Sequence, residues 1–164
     1  MIKLLVLDID GTMTNGNIIY SNNGEELKAF DVKDGLAVAS WTKKLGKKVA
    51  IITGRKSILV EKRAKELGVN FIYQGVDNKD EVLEEILASE GISWEEVASI
   101  GDDLNDLRML KRSGLSFAPN DAVEYIKDTV NVVCSQKGGC GAVREMIEYI
   151  LEYDNQEGLE TLWQ

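Results

Sequence analysis

Residues 2–11 read Ile-Lys-Leu-Leu-Val-Leu-Asp-Ile-Asp-Gly, an apolar run that stops abruptly at two carboxylates and a glycine. Leu4, Leu5, Val6 and Leu7 are consecutive, so a strand over them is apolar on both faces. Such a strand belongs inside a parallel sheet covered by helices on each side. Asp8 then stands at its carboxyl end, and in open α/β sheets the crevice outside those ends is where ligands bind.

The rest of the chain repeats this alternation. After Asp10, the segment 13–30 reads as an inserted β-hairpin, with Asn17–Tyr20 and Glu26–Phe30 as arms and Asn23-Gly24 in the turn, a strong hairpin signal. Helical patterns over Gly35–Leu45, Ser57–Leu67, Lys79–Ser89, Leu104–Arg112, Asp121–Lys127 and Ala142–Tyr153 alternate with strands over Lys48–Thr53, Asn70–Tyr73, Val97–Gly101, Leu115–Ala118 and Val130–Cys134. Strands and helices alternating at these lengths predict an α/β, doubly wound parallel sheet with right-handed crossovers. At 164 residues one domain spanning 1–164 is expected, and the stretch from Asp10 to Asp34 is too short for a separate cap domain. The tail 154–164 carries Leu159, Leu162 and Trp163, more apolar surface than a free tail has reason to hold, so it is expected to dock.

Composition narrows the chemistry. A net charge of −9 and a pI near 4.6 argue against nucleic acid or an anionic membrane as partner. An anionic substrate must therefore meet a local positive pocket. No run approaches the ~20 apolar residues of a membrane span and no signal-peptide pattern precedes the first strand, so a cytoplasmic protein is expected. The chain has no histidine, which removes Ser-His-Asp and Cys-His machinery and every histidine-ligated metal site. Cys134 and Cys140 have the spacing of a Cys-x5-Arg phosphatase loop, but cysteine stands where arginine is needed; both are read as reduced packing or loop residues.

What stands at the predicted strand ends points to one reaction class. The first strand ends in Asp8 and Asp10, the second in Thr53-Gly54-Arg55, the third leads to Lys79, and the fourth ends in Gly101-Asp102-Asp103 with Asp106 one turn on. Carboxylates, a lysine and a hydroxyl converging on one crevice suit a Mg²⁺ site facing a phosphate site, because hard cations take oxygen ligands. An EF-hand is excluded, since Met13 stands where its glycine should and a strand precedes. Helix capping accounts for Asp103 and Asp106 taken alone, but not for adjacent aspartates at a strand end. Lys79 opens a helix, where a cation opposes the helix dipole by ~0.3–1 kcal/mol, a cost that an anionic ligand would offset.

The ordered set Asp-Ile-Asp-Gly-Thr (8–12), Thr-Gly-Arg (53–55), Lys79 and Gly-Asp-Asp-Leu-Asn-Asp (101–106) resembles the four motifs of the haloacid dehalogenase phosphatase superfamily. Residues 25–35, 50–68, 73–79 and 138–145 are further similar to the family of phosphatases acting on 3-deoxy-D-manno-octulosonate 8-phosphate (KDO 8-phosphate). The resemblance implies a Rossmann-like fold and a magnesium-dependent, homotetrameric hydrolase of a sugar phosphate in lipopolysaccharide precursor synthesis. It also implies roles. Asp8 would be the nucleophile that becomes an aspartyl-phosphate, and Asp10 the acid/base. Asp8, the backbone carbonyl of Asp10 and Asp102 would be the metal ligands, and Thr53 and Lys79 would hold the phosphoryl oxygens. Asp103 and Asp106 would orient Lys79 and metal-bound water. Asp10, Asp31, Val32, Lys33, Asp34, Gly35, Arg55 and Arg63 would contact substrate alongside Thr53 and Lys79. The chain departs from the pattern at Ala37, Val38 and Ala39, and at Cys140, where relatives carry arginine.

A phospho-accepting regulator on the same scaffold also uses strand-end aspartates and a lysine, but Asp10, two residues after the acceptor, favours turnover. Within the enzymes, Arg55 favours an eight-carbon over a nine-carbon ulosonic acid phosphate, a guanidinium being suited to the sugar's carboxylate. With no cap, the crevice is expected to be covered by another copy, the hairpins associating and the tail lying near a neighbour's site.

Overall fold

The computed structural model describes residues 1–164. In chain order it runs β1 (Leu4–Leu7), β2 (Ile19–Tyr20), β3 (Glu26–Leu27), α1 (Val32–Ala39), β4 (Lys48–Ile52), α2 (Ile58–Leu67), β5 (Phe71–Tyr73), α3 (Lys79–Glu90), β6 (Val97–Ile100), α4 (Leu107–Arg112), β7 (Leu115–Ala118), α5 (Glu124–Thr129), β8 (Val132–Val133) and α6 (Ala142–Tyr153). Six strands form one sheet in the order β5-β4-β1-β6-β7-β8, every pairing parallel. Connections leave β1 towards one edge and then return past it to β6. The strand order therefore reverses between β1 and β6, and that switch point is where a doubly wound sheet leaves a crevice.

β1 is wholly buried because its side chains serve two cores. Leu5 and Leu7 join Val38, Trp41, Val60, Ala64, Met146 and Ile150 on the face covered by α1, α2 and α6. Leu4 and Val6 point the other way, onto Leu83, Ile86, Leu87 and Met109 of α3 and α4. Each of these side chains contributes on the order of 1.5–3 kcal/mol by leaving water, and the period of two assigns them to opposite faces.

Several boundaries differ from the sequence expectation, each for a local reason. The antiparallel pairing of the hairpin is limited to Ile19–Leu27 and Tyr20–Glu26, because Lys28 turns inward to meet Asp10 and Asn17 is held by the Asn15 side chain. α1 begins at Val32 rather than Gly35, since the Asp31 carboxylate accepts from the Lys33 and Asp34 amides and caps it. Its C-terminal continuation, Ser40–Lys44, widens into a π-turn in which the Ser40 and Thr42 hydroxyls donate back to Leu36 and Val38 carbonyls. The helix expected at Leu104 opens with a 3-10 turn, Leu104–Asp106, capped by Asp103. α5 begins at Glu124, because Asp121 accepts from the Gly138 amide instead of capping it. β8 is shorter than expected, with Asn131 turned to accept from Ser116.

The tail docks on its own chain. Leu159 is buried in the larger core, the Lys44 ammonium donates to the Leu162 carbonyl at 2.7 Å and lies 4.0 Å over the Trp163 ring, and the Trp163 indole donates to Ser40 Oγ at 3.0 Å. This is the end of the sheet where β4 begins, opposite the crevice. No helix is long and apolar enough to cross a membrane.

Deleting residues 159–164 should lower the thermal midpoint by roughly 5–10 °C, from the ~2–3 kcal/mol that burial of Leu159 and partial burial of Leu162 contribute. Thermal unfolding followed by circular dichroism reads this, and an unchanged midpoint would mean the tail contributes nothing to the fold.

Candidate active site

Asp8 is the first residue beyond β1, 3 % exposed. The turn after it folds onto the Ile9 carbonyl, which accepts from the amides of Thr12, Met13 and Thr14, and the Thr12 hydroxyl donates to Asp8 Oδ2 at 3.4 Å. Lys79, at the start of α3, is 2 % exposed. Its ammonium lies 2.7 Å from Asp8 Oδ1 and 2.6 Å from Asp106 Oδ1. The other Asp106 oxygen accepts from the Asp102 and Asp103 amides, tying the loop after β6 to the same lysine. A buried ammonium is costly unless paired, and this one has two carboxylates.

Oxygens of Asp8, Asp102 and Asp106 lie within 4.8 Å of one another. Three carboxylates against the single Lys79 ammonium leave two negative charges if all are ionised, which a divalent cation would cancel. The strain shows in proton affinity. Burial, then the charges of Asp8 and Asp106, push Asp102 up to about 8. Burial and Asp8 also push Asp106 up, although Lys79 pulls it down. Burial lowers Lys79, but Asp8 and Asp106 outweigh it and hold the ammonium above the ordinary lysine range. An all-oxygen donor set with surplus charge fits a hard cation such as magnesium.

Close backbone approach makes the cluster possible. A methyl group on Gly11, whose φ is +87°, would run into the Asp102 carboxylate, and one on Gly101 would run into Asp106. Gly138 and Gly139 press the loop before α6 against the turn that follows Asp8, since side chains there would strike the Gly11 carbonyl and the Thr14 backbone. The Gly139 amide donates to the Thr12 carbonyl. Cys140 beside them is exposed and free, and Cys134 is buried and free.

The remaining candidates fall into two groups. Thr53 is buried at the end of β4, its amide donating to the Tyr73 carbonyl. Asp10 is turned towards the hairpin, Oδ1 accepting from Lys28 at 2.6 Å with Arg55 Nε 3.9 Å from Oδ2. Arg55 Nη2 donates to Glu26 at 2.9 Å, and hydrogen bonds with Tyr20 and Glu26 raise its pKa. Asp103 caps the 3-10 turn through the Leu104 amide and does not touch Lys79, so only Asp106 of that pair orients the lysine.

Asp31–Gly35 and Arg63 form a rim further out. Gly35 has no side chain because the Arg63 guanidinium occupies that space, and Arg63 Nη2 donates to the Asp31 carbonyl at 3.5 Å. Lys28, Phe30, Val32, Lys62 and Arg63 help line a cavity of about 290 Å³. Val32 is largely exposed, as is Lys33. Asp34 is different: its side chain is 1 % exposed and turned away, Oδ1 accepting from the Arg144 amide at 2.9 Å, so it satisfies the start of α6 and offers the rim no carboxylate. Lys28 and Glu26 were not singled out from the sequence. The available signal was an acid and a base two apart on one hairpin arm, which places both on the same face.

Known proteins similar to this chain are phosphatases of one family. The family model for haloacid dehalogenase-like hydrolases matches residues 70–147. The 3-deoxy-D-manno-octulosonate 8-phosphate phosphatase KdsC of Escherichia coli is 44% identical over 151 residues, 92% of this chain and 79% of that protein. Its Yersinia pestis counterpart is 44% identical over 163 residues, 98% of this chain and 86% of that protein. The crystal structure of the Moraxella catarrhalis phosphatase in complex with magnesium ion, phosphate ion and KDO superposes with a TM-score of 0.90 at 42% identity, covering 94% of this chain and 88% of that one. The chain belongs to the haloacid dehalogenase-like hydrolases, in the branch of the 3-deoxy-D-manno-octulosonate 8-phosphate phosphatases.

Burial pushes Asp34 up to about 6 from an ordinary 3.8, against the opposing hydrogen bond from the Arg144 amide. Its folded value lies above its unfolded one, so its contribution to stability is fully present below about pH 4 and is lost as the pH rises through about 6. Asp34→Asn should therefore gain about 2–3 kcal/mol relative to the wild type between about pH 4 and pH 7. Urea unfolding across that range measures it, and a difference that does not change with pH would contradict the buried placement.

Proposed function

We propose that this protein hydrolyses KDO 8-phosphate to KDO and phosphate through an aspartyl-phosphate on Asp8. It would use magnesium and work in the cytoplasm, in lipopolysaccharide precursor synthesis. The observation that carries the reading is the buried Asp8, held by Lys79 at the sheet's switch point amid surplus negative charge, in a chain 44% identical to such a phosphatase.

An oxygen of Asp8 attacks phosphorus in line, and the bond from phosphorus to the sugar oxygen breaks. Asp10 gives its proton to that leaving oxygen. It then takes a proton from the water that attacks the aspartyl-phosphate, releasing phosphate and regenerating Asp8. Lys79 and Thr53 bind phosphoryl oxygens, with Asp106 keeping Lys79 in place. Asp8, Asp102 and the backbone carbonyl of Asp10 would hold magnesium, which supplies positive charge against the phosphoryl oxygens when bound. Asp31, Val32, Lys33 and Arg63 form the sugar's rim. Arg55 meets the carboxylate: its side chain is 40% exposed, so the guanidinium has a face open to substrate beyond the Nη2 contact with Glu26.

The same reading takes the molecule to be a homotetramer. The hairpin exposes Ile18, Ile19, Tyr20 and Leu27, and a hairpin with so little pairing is marginal by itself. Other copies of the hairpin would cover those residues.

Asp8→Asn should lose turnover by orders of magnitude while keeping its fold, and kcat/KM should favour the eight-carbon phosphate over a nine-carbon ulosonic acid 9-phosphate. Steady-state kinetics on both compounds tests this. Retained turnover in the variant would remove the mechanism, and preference for the longer sugar would remove the substrate assignment.

A further inference from the structure

The most unusual charged group outside the Asp8 cluster is Lys28. It follows β3, the second arm of the hairpin, yet its side chain is only 3% exposed. Its ammonium lies 2.6 Å from Asp10 Oδ1 and 3.3 Å from Glu26 Oε1. That Glu26 oxygen also accepts from Arg55 Nη2 at 2.9 Å. The hairpin is thus tied to the catalytic turn and to the segment after β4 by one chain of ion pairs, Asp10–Lys28–Glu26–Arg55. Burying a lysine is expensive, and an anchor for the hairpin could have been apolar. The charge is placed instead on one oxygen of Asp10. The other, Oδ2, has Arg55 Nε at 3.9 Å, beyond hydrogen-bond reach, and accepts no hydrogen bond from the chain.

We propose that Lys28 is a positioning residue for Asp10: by holding Oδ1 it fixes the carboxylate so that Oδ2 is the oxygen presented to the leaving group and then to water. The inference rests on the phosphatase reading, in which Asp10 is the acid/base. It makes the hairpin part of the catalytic apparatus, since β3 sets where Lys28 sits. Lys28 touches neither Asp8 nor Lys79, so formation of the aspartyl-phosphate from a substrate whose leaving group needs no proton is independent of it. Hydrolysis of that intermediate is not, because water must give its proton to Asp10.

The test is rapid-mix kinetics of the magnesium-loaded full chain with p-nitrophenyl phosphate, comparing wild type, Lys28→Met, Lys28→Gln and Lys28→Arg, with thermal midpoints recorded for each. In Lys28→Met and Lys28→Gln, hydrolysis of the intermediate should slow ~10- to 100-fold, the scale of a displaced acid/base. A burst of about one nitrophenolate per folded site should then precede slow turnover, with acid-trapped phosphoenzyme accumulating. Lys28→Arg should restore most of the turnover. A burst in either neutral variant, with recovery in the arginine variant, supports the proposal. Wild-type turnover in both neutral variants overturns it. So does a proportional loss of both phases that follows the folded fraction, which marks a purely structural anchor. If Lys28→Met does not fold, Lys28→Gln gives the same readout. If no phosphoenzyme can be trapped in any form, wild type included, the phosphatase mechanism itself fails, which is separate from Lys28 proving dispensable.

Discussion

The ammonium of Lys79, buried between Asp8 and Asp106, is the contact on which the rest of the crevice depends. It joins the end of β1 to the start of α3 and, through Asp106, to the loop after β6. Without it, two buried carboxylates would face each other across the switch point. Breaking a buried pair by removing one partner typically costs ~3–5 kcal/mol. The charge count around it is unequal: the surplus negative charge suits a divalent cation, and in the proposed reaction lysine and cation together would present positive charge to a phosphoryl group.

Such crowding demands backbone without side chains. Gly11 and Gly101 let the two acidic loops interpenetrate, and Gly138 and Gly139 let a third loop press on the turn after Asp8. Asp121 holds that third loop by accepting from the Gly138 amide, and Asp34 holds the helix after it by accepting from the Arg144 amide. Aspartates that resemble site residues by type therefore serve as props for the loops that carry the site.

Much of this was legible in the sequence, for definite reasons. β1 announces itself because both its faces are buried, so apolar residues run consecutively, and Asp8 and Asp102 stand out because they come at the ends of such runs. The doubly wound order follows from the alternation. What the sequence hid was direction. Asp31 and Asp34 are three apart, yet one caps α1 from outside while the other points inward to α6, a difference set by tertiary packing. Asp103 and Asp106 share a capping box, and only the fold shows that Asp106 alone reaches Lys79. Nothing in the sequence marked Lys28, because its burial depends on a carboxylate eighteen positions away.

The central claim is that the carboxylates around Lys79 create a divalent-cation site. Stability reads this directly, since a ligand that binds only the folded chain raises the unfolding free energy by RT ln(1 + [L]/Kd). The decisive measurement is the thermal midpoint of the wild type and of Asp102→Asn over a magnesium titration at neutral pH. The account predicts a midpoint that climbs with magnesium in the wild type and a shift largely abolished in the variant, which should also be the more stable of the two without metal. Equal shifts in both proteins, or none in the wild type, would contradict it.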